Sequence, residues 1–265
     1  MPICSVSCRL RGVGVTTERR RSIIVWGPPG SGKSLYLASL VLWLSSEREQ
    51  PHLLVLPADD ATASWITGLT SPRGAGVTLT TAHGEPSRPC VFRVYETIDS
   101  ALSGMPRSRA VAVLQHGDVA PGETVTTRFE GAAGVILLLP AATMSERADI
   151  RSAHVSWLTA TLARLPETLG AAPPTVSLPV AVCLTQTDAV PDAARRDATQ
   201  WLESFGAETV RALRAHCARF EIFKVSALGH APRQLGAEQV LPTTPQPDGV
   251  LAPLRWILGQ TETAA

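Results

Sequence analysis

Lysine is nearly absent. Of 24 basic residues only Lys33 and Lys224 are lysines; the others are arginines. With 21 prolines and many alanines, this is the usage of a GC-biased genome, and a lysine kept against that bias calls for a reason. Charge is scarce too. Charged residues make up 18% of the chain and the net charge is +1, which excludes nucleic-acid binding by bulk charge and leaves only a local patch. Long apolar runs are missing: the longest, residues 134–142, is about half a membrane span. The basic N-terminal stretch, with Arg9, Arg11 and residues 19–21, lacks the apolar segment of a secretory signal. Cysteines number five (Cys4, Cys8, Cys90, Cys183 and Cys217), an odd count with no second Cys/His pair at zinc-site spacing. That argues against a disulfide framework or structural zinc and for reduced thiols. These absences lead us to expect a soluble, cytoplasmic protein with no membrane span.

What is present is a core. The chain has 265 residues, 45% of them hydrophobic, enough for one large domain or two small ones. Residues 1–21 are polar and basic without periodicity and read as a loose arm; residues 22–265 read as a single domain. Short apolar runs at 22–26, 52–56, 90–95, 110–114, 135–139, 180–184 and 221–225 predict strands. Those at 135–139 and 180–184 are apolar on both faces, as central parallel strands are. Turn residues between 90–95 and 110–114 would let that pair form an antiparallel hairpin. Helical periodicity marks 34–46, 61–69 (capped by Asp59 or Asp60), 147–165 (stopped by Pro166), 192–220 and 250–258. Segments 71–89 and 229–247 are rich in Gly and Pro and read as loops, the first of them mobile. Strands alternating with helices predict an α/β fold: a doubly wound, mostly parallel sheet with helices on both faces.

The motif with the sharpest chemistry is Gly27-Pro-Pro-Gly-Ser-Gly-Lys33-Ser34, a full match to G-x-x-x-x-G-K-[ST] between a predicted strand and a predicted helix. Gly27, Gly30 and Gly32 let backbone N–H groups, with that of Ser31, converge on phosphate oxygens. Ser34 and Leu35 open the helix, whose positive end faces the same place. Lys33 would reach the β- and γ-phosphates as the catalytic cation, and the Ser34 hydroxyl would bind Mg²⁺. This accounts for one of the two lysines.

Further on, Thr185-Gln-Thr-Asp188 follows a buried strand and Ser226-Ala227-Leu228 follows the next one. In register with the phosphate loop, these resemble the [NT]-K-x-D and S-A-[KL] elements of P-loop GTPases of the translation-factor and Ras-like class. The resemblance spans residues 22–259. It implies that Asp188 accepts hydrogen bonds from guanine N1–H and the exocyclic amine, groups adenine does not offer. It also implies that a backbone N–H of the 226–228 turn contacts guanine O6. Gln186 stands where the family carries lysine; it keeps part of the alkyl stem and loses the cation. The D-x-x-G switch element is irregular: Asp118-Val-Ala-Pro-Gly122-Glu123 has one residue too many. By the resemblance, Asp118 would bind Mg²⁺ through water and the Gly122 N–H would sense the γ-phosphate, while Glu123 is a poor substitute for a water-orienting glutamine. By the same resemblance, the Mg²⁺-binding switch threonine would be one of Thr78, Thr80 and Thr81, with Thr80 taken as the ligand. Protein effectors or regulators would read loops 71–89 and 118–127. A finer similarity, in Leu35-Tyr-Leu37, Leu56-Pro-Ala-Asp-Asp-Ala-Thr62 and Pro253-Leu-Arg-Trp256, is to bacterial double-GTPase-like proteins of multi-protein conflict systems.

Three functions stay open: a slow GTPase switch using GTP/GDP and Mg²⁺, a pseudo-GTPase acting as a structural subunit of a bacterial assembly, and an ATP-dependent P-loop enzyme. The remaining conspicuous residues read as structural. Trp26, Trp43, Trp157 and Trp256 fall in apolar patterns and belong to a core. His83, His116, His154, His216 and His230 have no catalytic partner at useful spacing, and Arg195, Arg196, Arg211, Arg214 and Arg219 mark solvated helix faces.

Overall fold

A computed structural model describes residues 22–43, 53–69, 72–73, 76–77, 90–98, 107–116, 132–168, 176–190, 196–231, 233–235, 238–240 and 245–262. The N-terminal arm, Thr78, Thr80, Thr81, Asp118, Gly122 and Glu123 lie outside the described residues, as does most of the two loops read as partner-facing.

In chain order the described strands are β1 (Ser22–Trp26), β2 (Leu53–Pro57), β3 (Pro72–Arg73), β4 (Gly76–Val77), β5 (Val91–Ile98), β6 (Arg107–His116), β7 (Ala132–Pro140), β8 (Val180–Thr185), β9 (Phe220–Lys224), β10 (Arg233–Leu235) and β11 (Glu238–Val240). Seven of them form one sheet, in the spatial order β2-β5-β6-β1-β7-β8-β9. The five strands from β6 to β9 run parallel, while β5 is antiparallel to both β6 and β2. The expected hairpin of 90–95 with 110–114 is therefore present, with longer arms. Continuous apolar text explains the centre of the sheet: Val135 to Leu139 and Val180 to Leu184 are all buried, because helices cover both faces.

The helices are α1 (Lys33–Ala38), α2 (Asp60–Leu69), α3 (Ala141–Glu146), α4 (Ala148–Thr168), α5 (Ala198–His216) and α6 (Ala252–Glu262). One core packs Trp26, Leu137, Leu139, Val182 and Leu184 against Leu158 and Leu162 of α4 and Trp201, Val210 and Leu213 of α5. The other packs Val25, Ile136, Leu138 and Cys183 against Tyr36 and Leu37 of α1, Ile66 of α2 and Leu254 and Ile257 of α6. Odd and even strand positions thus feed different cores, as the two-residue side-chain period requires. The doubly wound architecture is as expected.

Several boundaries differ from expectation. α1 yields after six residues to a π-helical turn, Ser39–Trp43. There the Ser39 hydroxyl bonds the Tyr36 carbonyl at 2.7 Å, a local competitor for the helical ladder. α4 does not stop at Pro166 but runs to Thr168. The proline forfeits one ladder bond and crowds the carbonyl four residues back, and the helix ends within the same turn, two residues on. α5 begins only at Ala198, where the Asp197 carboxylate accepts from the Thr199 and Gln200 N–H groups; the strand beyond it already starts at Phe220. Asp59, not Asp60, caps α2, accepting from Thr62 N–H at 2.7 Å. The loop read at 71–89 contains the two-residue antiparallel pair of β3 with β4, and that at 229–247 contains the hairpin of β10 with β11.

Trp201 is a core tryptophan that the apolar patterns missed. It is 2% exposed and meets the Phe205 ring edge-on at 5.7 Å. Trp26, also buried, stacks at a tilt on Trp157 at 4.6 Å. Trp201→Ala is expected to cost about 3–5 kcal/mol, read as a lower urea midpoint. A loss below about 1 kcal/mol would show that α5 repacks freely.

Candidate functional site

Since β1, β7, β8 and β9 are parallel neighbours, the segments that leave their carboxyl ends gather along one edge of the sheet. The phosphate loop leaves β1, α3 leaves β7, the T-Q-T-D element leaves β8 and the S-A-L element leaves β9. This edge is where open α/β sheets hold ligands.

The loop after β1 is shaped by its glycines. At Gly27 a Cβ would stand 2.5 Å from the Leu138 carbonyl oxygen and 2.7 Å from Ser31 Oγ, so only glycine lets the chain turn this close to β7. Gly30 and Gly32 have φ of +76° and +87°, a conformation L side chains rarely adopt. A Cβ at Gly30 would meet nothing within 4 Å; backbone conformation, not space, demands glycine there. Pro28 and Pro29 carry no N–H, so anion donors must come from Gly30 onward. Of these, Ser31 N–H bonds the Pro28 carbonyl at 3.1 Å. Lys33 is 6% exposed, and its ammonium donates to the Gly27 carbonyl at 2.9 Å and the Pro28 carbonyl at 3.1 Å. The cation is thereby folded over the loop it belongs to. The Ser31 hydroxyl is buried with no hydrogen-bond partner among the described residues. Left-handed glycines, a folded-over ammonium and the start of α1 at one place fit a phosphate anion. Ser34 and Leu35, in the first turn of α1, are partly exposed.

Thr185 and Gln186 tie this loop to β8. The buried Thr185 hydroxyl lies 2.8 Å from the Ser31 carbonyl and 3.1 Å from the Leu139 carbonyl, sharing its proton between them. Gln186 has φ +61°, the one positive value at a non-glycine among the described residues. That backbone costs on the order of 1 kcal/mol or more. The side chain offsets the cost, its amide donating to the Gly30 carbonyl at 3.1 Å while Thr143 of α3 donates to its Oε1 at 3.5 Å. Gln186 is thus a brace across the loop, a role its sequence position does not disclose. Thr143 and α3 were likewise not anticipated.

Asp188 sits in a single 3₁₀ turn, Thr187–Ala189. Its Oδ1 accepts from the Ser226 hydroxyl at 2.6 Å, and the same hydroxyl accepts from Gly229 N–H at 2.8 Å. The two elements singled out from the sequence, 38 residues apart, are therefore in direct contact. Oδ2 of Asp188 has no bond from another described residue and can still accept. Ser226 and Leu228 are buried and Ala227 is partly so, leaving the backbone of the turn as its polar surface.

The second lysine now has its reason as well: Lys224 Nζ donates to the Arg196 carbonyl at 2.7 Å, pinning the chain just ahead of α5. Burial raises the Cys183 thiol well above its ordinary range and pushes that of Cys217 up to about 12, which disfavours the thiolate that a nucleophile needs. Among the described residues no cluster of His, Cys, Asp or Glu could hold a metal, and no helix is long and apolar enough to cross a membrane.

Strand order and helices on both faces give a doubly wound, mostly parallel α/β fold with the glycine-rich loop at the carboxyl end of β1. No protein-family model and no curated protein matches the chain. Among solved structures, it resembles the Arl6 (BBS3) small GTPase of Trypanosoma brucei with bound GppNp at 13% identity. That match covers 93% of this chain and 99% of that one, with a TM-score of 0.44. It also resembles the Sar1-type, ADP-ribosylation-factor-like GTP-binding protein of Encephalitozoon cuniculi in complex with GDP. There identity is 11%, coverage is 92% and 81%, and the TM-score is 0.43. Neither of these two is a bacterial double-GTPase-like protein.

Proposed function

We propose that this chain is a Mg²⁺-dependent guanine-nucleotide-binding switch that hydrolyses GTP slowly and signals to protein partners. The observation that carries the reading is the 2.6 Å bond joining Asp188 to Ser226 on the sheet edge that bears a complete phosphate loop. A carboxylate held there accepts from groups that guanine has and adenine lacks. Gly30, Ser31, Gly32 and Lys33 would cradle the phosphates, with the Lys33 ammonium neutralising charge as it develops. Ser34 would ligate Mg²⁺, which supplies charge neutralisation between the phosphates. Asp118, Thr80 and Gly122 are the proposed switch contacts, and loops 71–89 and 118–127 the surfaces partners read. With no water-orienting glutamine after Gly122, turnover should fall near the unassisted scale of about 10⁻⁴ s⁻¹.

Gln186 favours a second reading. Its amide is committed to the Gly30 carbonyl in the place where P-loop GTPases carry a lysine, which suits a nucleotide-binding pseudo-GTPase serving as a structural subunit of a bacterial multi-protein assembly. Phosphate release by the purified protein with GTP and Mg²⁺ separates the two. Slow multiple turnover supports the switch, bound GTP that persists supports the structural subunit, and release from ATP in preference to GTP overturns both.

A further inference from the structure

An excursion of the chain separates the 226–228 turn from α6. It leaves at Leu228, carries the β10–β11 hairpin and returns at Gln246. The return is clipped to the turn by three backbone bonds: Gln246 N–H to the Leu228 carbonyl at 2.9 Å, Ser226 N–H to the Asp248 carbonyl at 2.9 Å, and Asp248 N–H to the Ser226 carbonyl at 2.8 Å. Two left-handed glycines bring the backbones into contact. A Cβ at Gly229 would stand 2.1 Å from the Gln246 carbonyl oxygen, and one at Gly249 would stand 2.2 Å from that of Lys224. Residues 246–250 therefore form a strap laid directly on the turn.

The far end of the strap is tied to the phosphate side. The carbonyl of Val250, itself buried, accepts from the Tyr36 hydroxyl at 3.0 Å. Tyr36 lies one helical turn after Lys33 and is 1% exposed. Burial holds the phenol well above its ordinary range, which favours the protonated form that donates this bond. This path from α1 through the strap to Ser226 and Asp188 is separate from the Thr185 and Gln186 route.

We propose that Tyr36 is a positioning residue: its hydroxyl fixes the 246–250 strap against α1, and the strap holds the 226–228 turn, so that the phosphate end and the base end of a guanine nucleotide are placed by one hydrogen-bonded path. The role in nucleotide placement rests on the function proposed above; the mechanical link does not. Tyr36→Phe in the full chain keeps the ring and deletes the bond. In ligand-free protein, amide exchange at Ser226, Gln246 and Asp248 should rise about fivefold, the weight of one neutral hydrogen bond, with amides of β7 and β8 unchanged. GDP should bind about fivefold more weakly while inorganic tripolyphosphate, which cannot reach the turn, binds as before. A merely structural role would speed exchange throughout and weaken both ligands alike. Unchanged exchange at those three amides, or a uniform rise, overturns the proposal. Failure of the wild type to bind GDP would instead overturn the nucleotide reading and leave the exchange result to decide the link.

Discussion

Lys33→Ala should abolish measurable triphosphate binding, with affinity for GTP in Mg²⁺ falling at least about 100-fold by calorimetry. Charge-assisted hydrogen bonds contribute about 1.5–3 kcal/mol each, and an ammonium reaching two phosphates supplies two of them. The fold should survive. Lys33 bonds the Gly27 and Pro28 carbonyls of its own loop. Two orphaned carbonyls beside an open cradle can take water, so the stability loss should stay within about 1–2 kcal/mol. GTP affinity that does not change would show that the loop is an ordinary glycine-rich turn.

The second large effect is a change of base preference. Asp188→Asn replaces an acceptor by an N–H₂ donor, and xanthine presents a carbonyl where guanine has its amine. The variant should therefore favour XTP over GTP, reversing the wild-type order, since a mismatched buried donor or acceptor costs about 1–3 kcal/mol per group. The substituted side chain can still accept from Ser226 through its remaining carbonyl oxygen, so the turn should stay in place. Competition of a fluorescent nucleotide by GTP and XTP measures the change. A variant that keeps full preference for GTP would remove Asp188 from the base site.

The central strands were legible in the sequence because burial on both faces leaves an unbroken apolar run, as in Val135 to Leu139. The glycine-rich loop after β1 was legible as a tight turn because its glycines are required by conformation and close approach, as at Gly27, Gly30 and Gly32. What escaped depends on distant partners. The Gln186 brace joins residues 156 apart through a left-handed backbone that no local pattern signals. The Tyr36 tie reaches across 214 residues, and tyrosine in an apolar helix face reads simply as core. α3 was hidden because its text continues the apolar run of β7 through Pro140. Trp201 was hidden in a helix whose kink at Gly206 breaks the periodicity around it. Pro166 marks the last turn of its helix and not the last residue: proline costs the helix one ladder bond, and the end falls two residues on, at Thr168.

Calorimetric titration of the nucleotide-free protein with GDP and with ADP, both in Mg²⁺, tests the central claim most directly. The account predicts that GDP binds at least about 100-fold more tightly, because Asp188 and the 226–228 turn find their partners on guanine and are left unpaired by adenine. Equal affinity for the two, or a preference for ADP, would contradict it.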